Sequence, residues 1–487
     1  MGERDWVLFV SAGITEPKKG NSPLNRLNLY LNYGLLGLAT LVESHGYRVK
    51  VVHGRFSDPV DFLSEMEQLG IIPTRHPVML SLPSSFCLEW AHAFSRTLKE
   101  RFPDVPIIAG GRWVLDPDPA WAERRLPDVD LLVYGTAEGR ILSLLGDPES
   151  WSAISSCSAS PDRTPEATPI QLPSLNYSLM DDYQEYHPSL EMSRGCGFSC
   201  SFCVERNVKL QAIRSPASTT FELRRYTHQY TSASIHPYFE ASYFRPTRGW
   251  VREFKEKYRS NGLGVNWRCE TRVDSWPVSD ISDLAASGLK VIDLGFESGS
   301  PKQLMAMGKT RNPTRYLERA DELLHTCRDN GIWVKVNVLL YAGETEDTIA
   351  ETVDWLDARR DCIKGVSATP LIVYRSSSDV SSYVSELSDA GASLVDGKRL
   401  ARDGYSFVHL SSDFPYERAL EMTREISRRY MSDRDYFDLK KFSYYPRSFS
   451  WEEFDAILGS RPSDELPFSR SVTAPDSFHV VSDAYRV

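Results

Sequence analysis

Three of the eight cysteines lie within eight residues of one another, and their spacing is the strongest chemical signal in the sequence. Cys196, Cys200 and Cys203 follow a C-x3-C-x2-C pattern directly after a short apolar run. Three thiolates on one loop can bind three irons of a cubane cluster and leave the fourth iron open. A structural zinc site is the alternative, but neither His187 nor His228 has ligand-pair spacing to complete it. The pattern therefore predicts a [4Fe-4S] cluster with an open coordination position.

Further residues stand at characteristic places around this pattern. Gly195 and Gly197 flank the first cysteine, and we expect them to let the backbone wrap a cluster without Cβ clashes. Phe202 precedes the third cysteine, and a later apolar run ends in the sequence GFESGS at residues 295–300. Lys309 follows that run. Taken in order, these features resemble the radical SAM superfamily over about residues 187–375.

The resemblance implies how S-adenosylmethionine (SAM) is bound and used. An aromatic residue before the third cysteine lies near the adenine in that family, and the Glu and Ser of GFESGS lie close to SAM. The segment at residues 341–345 lacks the proline that the family usually has there. The residues implied in SAM binding are Phe202, Glu240, Glu270, Arg272, Glu297, Ser298, Asn337 and Leu371.

The same resemblance implies radical chemistry. SAM chelates the open iron, an electron from the reduced cluster enters the sulfonium, and a 5′-deoxyadenosyl radical abstracts hydrogen from the substrate. The protein has to orient the substrate and exclude water. An external one-electron donor of the flavodoxin or ferredoxin type is the implied partner.

Two series of alternating apolar runs and helical patterns must position these residues. The first predicts strands at 6–10, 48–53, 78–82, 106–109 and 130–134, with helices that include 27–44 and 88–101. Buried runs followed by helices indicate a doubly wound parallel α/β sheet of Rossmann-like type, which we assign to residues 1–146. Residues 147–186 are rich in Pro and Ser and are predicted to be a linker.

The second series starts at residue 187. Its strands are predicted at 189–193, 235–240, 264–270, 291–296, 332–340 and 366–373. Strand-plus-helix units of 25 to 45 residues favour a partial (β/α)6 barrel over residues 187–375. Residues 376–487 are predicted to be an α-rich extension that covers the active site, with one helix near 416–431.

Glycines and polar loops follow three strands of the first series. Residues 107–111 end in a Gly pair, 135–139 read GTAEG, and 81–85 read SLPSS. Open α/β sheets bind ligands at such carboxyl ends, although a glycine pair can also serve helix packing. The order resembles the cobalamin-binding domain that precedes the barrel in one large radical SAM class. The residues implied in cobalamin binding are Ser81, Leu82, Ser84, Gly110, Gly111, Tyr134, Gly135, Thr136 and Glu138.

The positions of the histidines and of the remaining cysteines indicate which type of cobalamin-binding radical SAM protein the chain resembles. No D-x-H-x-x-G occurs and residues 11–26 contain no histidine, so a cobalt without a histidine ligand is expected; a domain that has lost its corrinoid is the alternative. No cysteine follows Cys362, which argues against auxiliary clusters, and the first 186 residues have only Cys87 and Cys157, too few for the amino-terminal cluster of methylthiotransferases. Cys269 and Cys327, like Cys362, are expected to be buried small residues.

The composition and charge of the chain argue against several other classes of protein. The 487 residues carry a net charge of −10, with 41% hydrophobic and 25% charged residues, which is typical of a folded protein. An acidic balance argues against nucleic acid or an anionic membrane as the main partner. No apolar stretch approaches the roughly 18 residues of a membrane span, and residues 6–10 are too short for a signal peptide. A cytoplasmic protein is expected.

Together these features predict a cobalamin-dependent radical SAM methyltransferase. Such an enzyme uses two SAM molecules, one to methylate cobalamin and one to make the radical, and methylates an unactivated carbon of a small molecule. An aromatic or heterocyclic substrate from antibiotic biosynthesis is expected, and the chain resembles the pyrrole C-methylases of aminocoumarin antibiotic pathways. The alternatives are a radical SAM dehydratase, epimerase or cyclase without methyl transfer, and a non-catalytic corrinoid or iron–sulfur sensor.

Overall fold

The chain forms two compact units in the computed structural model, which describes residues 5–15, 22–115, 119–146, 174–206, 208–230, 234–375, 380–459 and 466–470. The first unit comprises Met1–Tyr186, Tyr374–Val380 and Gly397–Tyr405, and the second comprises the rest. Most of the predicted linker, including Cys157, lies outside the described residues. No helix within the described ranges is long and apolar enough to cross a bilayer.

The first unit is built around a five-stranded parallel sheet. Its strands are β1 (Trp6–Ser11), β2 (Arg48–His53), β3 (Val78–Ser81), β4 (Ile107–Gly110) and β5 (Leu131–Leu132). They lie in the order β2-β1-β3-β4-β5 with parallel pairing throughout. The apolar runs of the central strands are buried, as a parallel sheet covered by helices requires. The doubly wound α/β prediction is confirmed.

Helices follow these strands, and one of them departs from the prediction. They are α1 (Pro23–Arg26), α2 (Tyr33–Glu43), α3 (Pro59–Gln68), α4 (Leu88–Arg101) and α5 (Pro119–Arg125). A single helix over residues 27–44 is wrong, because α1 ends at Arg26 and α2 begins only at Tyr33. Asn32 caps α2 by accepting a hydrogen bond from the Leu35 N–H at 3.1 Å. The leucines of residues 27–31 extend the apolar pattern beyond the helix itself.

The second unit contains a six-stranded parallel sheet whose strands neighbour one another in sequence order. They are β6 (Ser189–Glu191), β7 (Tyr238–Glu240), β8 (Trp267–Arg272), β9 (Leu289–Glu297), β10 (Trp333–Leu340) and β11 (Gly365–Pro370). This sequential order confirms the six-unit β/α prediction. The single strand expected over residues 366–373 is wrong, since β11 ends at Pro370 and β12 (Ile372–Tyr374) is separate. β12 belongs to a separate three-stranded sheet, so residues 366–373 are divided between two sheets.

Capped helices connect these strands. They are α6 (Pro216–Gln229), α7 (Arg248–Ser260), α8 (Ile281–Ala285), α9 (Pro301–Ala306), α10 (Pro313–Asp329) and α11 (Glu346–Asp357). The side chains of Ser215, Thr247 and Asn312 accept hydrogen bonds from first-turn N–H groups of α6, α7 and α10. Thr345 and Thr348 form a reciprocal capping box at α11.

The carboxyl-terminal part has more regular structure than the sequence suggests. Its elements are α12 (Val380–Asp389), β13 (Ser393–Leu394), α13 (Gly397–Asp403), β14 (Tyr405–His409), α14 (Tyr416–Arg429), α15 (Asp433–Ser443) and α16 (Trp451–Gly459). The predicted helix near 416–431 is α14, and the α-rich character is confirmed for the described residues. The short strands were missed because two to five residues carry too little periodicity.

Candidate functional site

The loop after β6 carries the three clustered cysteines. The N–H groups of Cys196 and Gly197 both donate to the Val208 carbonyl, at 3.2 and 2.8 Å. The Cys203 N–H donates to the Cys200 carbonyl at 3.1 Å, which forms a turn between the second and third cysteines. Cys200 is buried and the other two cysteines are partly exposed. The backbone therefore folds the loop back on itself around the thiols.

Two glycines permit this fold, and the structure gives the reason. Gly195 has a φ of 73° and Gly197 a φ of 77°, a region that L side chains rarely adopt. A Cβ on Gly195 would lie 2.2 Å from the carbonyl oxygen of Lys209. At Gly197 the nearest atom would be 3.6 Å away, on Leu210. The close approach at Gly195 is thus to the returning limb of its own loop.

The thiol set fits an iron–sulfur cluster. Burial raises the pKa of Cys196 and raises that of Cys203 to about 11, so bound iron would have to displace the thiol protons. Among the described residues, no three His, Cys, Asp or Glu side chains converge as ligands of a single metal ion. A cubane needs no such convergence, because each cysteine ligates a different iron. Four of the remaining cysteines, Cys87, Cys269, Cys327 and Cys362, are buried, which confirms the expectation for the last three.

Arg272, at the end of β8, connects this loop to the neighbouring strand ends. Its Nη1 donates to Cys200 Sγ at 3.0 Å, and its Nη2 donates to the Lys309 carbonyl at 2.7 Å. Its Nε donates to Asp274 Oδ1 at 3.0 Å. The guanidinium carbon lies 3.8 Å from the ring centre of Phe198, between the first two cysteines. Phe198 was not predicted as a site residue.

Glu297 occupies a strained position at the end of β9. Its φ is 74°, and the register between β9 and β10 shifts beside it, at Asn337 and Val338. Residues held in this backbone region often belong to functional sites. Glu297 Oε1 accepts a hydrogen bond from Lys309 Nζ at 2.9 Å, and Lys309 is buried. A Cβ on Gly295 would lie 3.1 Å from Glu297 Oε1, so glycine makes room for this ion pair.

Phe202, which is predicted to lie near the adenine of SAM, is part of the cysteine loop. The Ser201 N–H donates to the Met307 carbonyl at 2.9 Å, which ties the cysteine loop to the segment after β9. The ring of Phe202 meets that of Tyr341 edge to face, with centres 6.5 Å apart. Tyr341 directly follows β10 and was not predicted as a site residue. An aromatic residue at a strand end is the signal that could have identified it.

Ser298, Asn337 and Leu371 differ in their surroundings. The Ser298 hydroxyl is buried, lies 3.0 Å from Thr352 Oγ1 on α11 and accepts from the Ser300 N–H at 3.0 Å. Asn337 pairs in register with Gly295 and is partly exposed. Leu371 is buried directly after β11. Ser298 therefore contributes to loop packing, and the SAM contacts of all three remain predictions.

Glu240 and Glu270 stand on adjacent strands, each with a neutral hydroxyl donor. Ser189 Oγ donates to Glu240 Oε1 at 2.8 Å, and Tyr238 Oη donates to Glu270 Oε2 at 3.3 Å. Burial raises the pKa of Glu240 to about 8 and also raises that of Glu270. The Glu270 side chain is nevertheless exposed. Two neighbouring carboxyl groups of raised pKa can share a proton or bind a cation.

In the first unit, the loops after β3 and β4 come together at the carboxyl edge of the sheet. The Leu82 N–H donates to the Gly110 carbonyl at 2.8 Å. Gly111 has a φ of 105°, and a Cβ there would lie 2.8 Å from the Leu82 carbonyl oxygen. The Ser84 hydroxyl lies 3.6 Å from the thiol of Cys87. Ser81, Leu82, Gly110 and Gly111 thus form one edge, as their strand ends predicted.

Asn32 is part of this edge and was missed. Its Nδ2 donates to Ser11 Oγ at 3.1 Å and to Ser81 Oγ at 3.0 Å, so it links the ends of β1 and β3. Its N–H donates to His53 Nε2 at 3.2 Å. Burial lowers the pKa of His53 to about 3, so this imidazole is neutral. An Asn directly before a helix is the sequence signal that could have found it.

The loop after β5 carries the remaining predicted cobalamin residues. Gly135 has a φ of 74°. Arg140 Nη2 donates to the carbonyls of Tyr134, at 2.5 Å, and Thr136, at 2.7 Å. Glu138 lies in the same loop. One guanidinium therefore closes the turn formed by Tyr134, Gly135 and Thr136.

Comparison with known proteins agrees with this geometry. The model of the Radical SAM superfamily matches residues 190–356. Ribosomal protein uS12 methylthiotransferase RimO of Pseudomonas aeruginosa is 24% identical over 188 residues, and that of Dechloromonas aromatica is 22% identical over 218 residues. These matches cover 35% and 41% of this chain and 42% and 48% of the relatives. The chain thus spans less than half the length of these curated relatives.

Two solved structures share the fold over most of the chain. The radical S-adenosylmethionine methyltransferase TsrM from Kitasatospora setae, with cobalamin and a [4Fe-4S] cluster bound, has a TM-score of 0.59 at 16% identity and covers 87% of this chain and 91% of its own. The cobalamin-dependent radical enzyme OxsB, with aqua-cobalamin and SAM bound, has a TM-score of 0.55 at 16% identity and covers 87% and 57%. The superfamily match shows that residues 190–356, which include the three-cysteine loop, form a radical SAM domain, and such a domain implies a [4Fe-4S] cluster and SAM as cofactors.

Proposed function

We propose that this radical SAM enzyme is a cobalamin-dependent methyltransferase that methylates an unactivated carbon of a small molecule. The observation that carries the proposal is the glycine-lined carboxyl edge of the first unit, in a chain that also has the three-cysteine loop. The fold likeness to TsrM and OxsB, whose structures hold cobalamin, supports it. We further propose a cytoplasmic enzyme of antibiotic biosynthesis.

The edge of the first unit suits a flat ligand. A Cβ at Gly111 would meet the Leu82 backbone, so glycine lets the loops after β3 and β4 pack closely together at this edge, where open α/β sheets bind ligands. Asn32 holds the ends of β1 and β3 together through two hydroxyl groups. The neutral His53, at the end of β2, already accepts a hydrogen bond from the Asn32 N–H. This agrees with a corrinoid whose cobalt has no histidine ligand from this edge.

The cofactors supply the bond chemistry: the reduced cluster cleaves one SAM to start a substrate radical, and cobalamin carries the methyl group of a second SAM. This chain's residues bind and orient. Cys196, Cys200 and Cys203 would hold the cluster, while the ion pair of Glu297 and Lys309 sets one wall of the SAM site. Lys309 is buried, and its Nζ donates to Glu297 Oε1 at 2.9 Å, which holds the Glu297 side chain in place.

The RimO matches raise methylthiotransfer as a second candidate. The matched segment covers only about two fifths of those relatives. The first 186 residues of this chain contain just two cysteines, whereas an additional three-cysteine cluster would need a third. The chain's own residues therefore favour methyl transfer to carbon over sulfur insertion.

Two other candidate functions would use only some of the proposed cofactors. A radical SAM dehydratase, epimerase or cyclase would use the cluster without methyl transfer, and a corrinoid or iron–sulfur sensor would use neither SAM nor substrate. The strained Glu297 with its buried lysine partner argues against the sensor, because a passive protein has no need to maintain that strain.

The proposed substrate is aromatic or heterocyclic. TsrM has been solved with its tryptophan substrate, which supports an aromatic ligand for this fold. The raised pKa values of Glu240 and Glu270 favour the protonated carboxyl, whose O–H would donate a hydrogen bond to such a ligand. Reduction requires a one-electron donor, for which we propose a flavodoxin or ferredoxin.

An anaerobic product assay tests the proposed function. The reconstituted full chain is incubated with reductant and SAM, with and without hydroxocobalamin, and S-adenosylhomocysteine and 5′-deoxyadenosine are quantified. A methyltransferase forms S-adenosylhomocysteine only when cobalamin is present and forms 5′-deoxyadenosine as well. Absence of cobalamin-dependent S-adenosylhomocysteine refutes the proposal, and absence of both products favours the sensor.

Two variants provide matched controls for this assay. Cys200→Ala should abolish 5′-deoxyadenosine while leaving cobalamin-dependent S-adenosylhomocysteine. Gly111→Ala should do the reverse, since its Cβ would force apart the loops after β3 and β4 at the edge of the first unit and leave the cysteine loop intact. Loss of both products in both variants would mean that the two chemistries are not divided between the two units as proposed.

A further inference from the structure

Arg272 is a charged side chain in direct contact with one of the three clustered cysteines. It is only 4% exposed, and its Nη1 donates to Cys200 Sγ at 3.0 Å. A cation buried against a thiol that becomes a thiolate on iron binding forms a charge-assisted hydrogen bond. The guanidinium therefore belongs to the immediate surroundings of the cluster.

The Nε and Nη2 atoms of Arg272 also donate to partners within the protein. Nε donates to Asp274 Oδ1 at 3.0 Å, and Nη2 donates to the Lys309 carbonyl at 2.7 Å. One face of the guanidinium packs on Phe198, with 3.8 Å from Cζ to the ring centre. The family resemblance assigned Arg272 to SAM, but its Nε, Nη1 and Nη2 all have protein partners. Its planar fork is held in one orientation, which a lysine could not reproduce.

We propose that Arg272 is a positioning residue that acts on the iron–sulfur cluster through Cys200 and raises the cluster's reduction potential, instead of binding SAM. Reduction adds one negative charge to the cluster and its thiolates. A fixed positive charge and an N–H donor at the sulfur stabilise the reduced state more than the oxidised one. This role requires only the cluster and is independent of cobalamin and methyl transfer.

The same contacts give Arg272 a mechanical role. Through Cys200 it holds the cysteine loop, through the Lys309 carbonyl it holds the segment after β9, and through Asp274 it holds the exit of β8. The partners lie 72, 37 and 2 residues away in the chain. A single guanidinium thus fixes the position of the cysteine loop against the ends of β8 and β9, where SAM is predicted to bind.

A redox titration of the reconstituted full chain tests the proposal. The midpoint potential is read from the electron paramagnetic resonance signal of the reduced cluster, and SAM binding is measured separately by anaerobic calorimetry. We expect R272Q to make reduction at least tenfold less favourable, a shift of about 59 mV to lower potential for a one-electron couple. R272K keeps the charge but loses the fork, so its shift should be smaller and in the same direction. The affinity for SAM should change less than about threefold in both variants.

Arg268 provides the matched control. It lies four residues earlier on β8, is 1% exposed, pairs with Asp293 at 3.1 Å and stacks on the Tyr238 ring, but none of its hydrogen bonds or ion pairs involves a cluster cysteine. R268Q should leave the potential unchanged. The proposal is overturned if R272Q has the potential of R268Q, or if SAM affinity falls tenfold while the potential stays constant. Should R272Q fail to retain iron, the comparison of R272K with R268K decides in the same way.

Discussion

Replacing Gly195 with alanine should release the cysteine loop, and the structure allows the loss to be calculated. The residue has a φ of 73°, where an alanine costs about 1–2 kcal/mol. Its Cβ would lie 2.2 Å from the Lys209 carbonyl oxygen, so the two limbs of the loop must separate. Separation gives up the hydrogen bonds from Cys196 and Gly197 to Val208, each worth about 0.5–1.5 kcal/mol. The closed loop should therefore lose about 2–5 kcal/mol, which is roughly a 30-fold or larger shift in its population.

Two further glycines in the same unit separate the contributions. Gly197 has a φ of 77°, but the position that a Cβ would take there has no neighbouring atom closer than 3.6 Å, so Gly197→Ala should lose only the conformational part, about 1–2 kcal/mol. Gly264 has no positive φ, and no atom lies within 4 Å of the position that a Cβ would take there. Gly264→Ala should therefore change the free energy of the closed loop by less than about 0.5 kcal/mol. The assay is the rate of iron release to a chelator after anaerobic reconstitution. Equal rates for Gly195→Ala and Gly264→Ala would refute the reasoning.

Three other perturbations follow from named contacts. Glu297→Ala leaves the buried Lys309 without its partner and should lower the free energy of unfolding by about 3–5 kcal/mol in urea; the double variant with Lys309→Met should recover most of this, and no recovery would contradict the pairing. Burial raises the pKa of Glu240 from 4.5 to about 8, so between these values the native state holds a proton that the unfolded chain releases, and stability falls as pH rises. Glu240→Gln should remove this slope, and its Tm relative to wild type should therefore increase from about pH 5 to about pH 8; a constant difference would count against it. Gly111→Ala should abolish cobalamin binding, measured by corrinoid absorbance, without loss of iron, while Gly139→Ala, with open space around it, should retain both.

Much of the fold could be predicted because its signals are local. Buried apolar runs are visible as strands. The strand predicted at residues 264–270 is β8 (Trp267–Arg272), and the strand predicted at 332–340 is β10 (Trp333–Leu340). The helix expected over residues 27–44 failed because leucines continue the apolar pattern through a segment that is not helical. The strand expected over residues 366–373 failed because β11 ends at Pro370 and β12 pairs with β14 in another sheet, a change of partner that the apolar pattern does not reveal.

By itself, the sequence determined the cysteine spacing, the order of the β/α units and the glycines at the strand ends, because each depends on neighbours only a few residues away. Only the tertiary structure decided the partner of each polar group. Arg272 meets Cys200 across 72 residues, Asn32 meets Ser81 across 49, and the clash that requires Gly195 comes from Lys209 on the returning limb. Such contacts depend on how strands and loops are brought together in space, and a hydrogen bond over that separation leaves no periodic trace in one sequence.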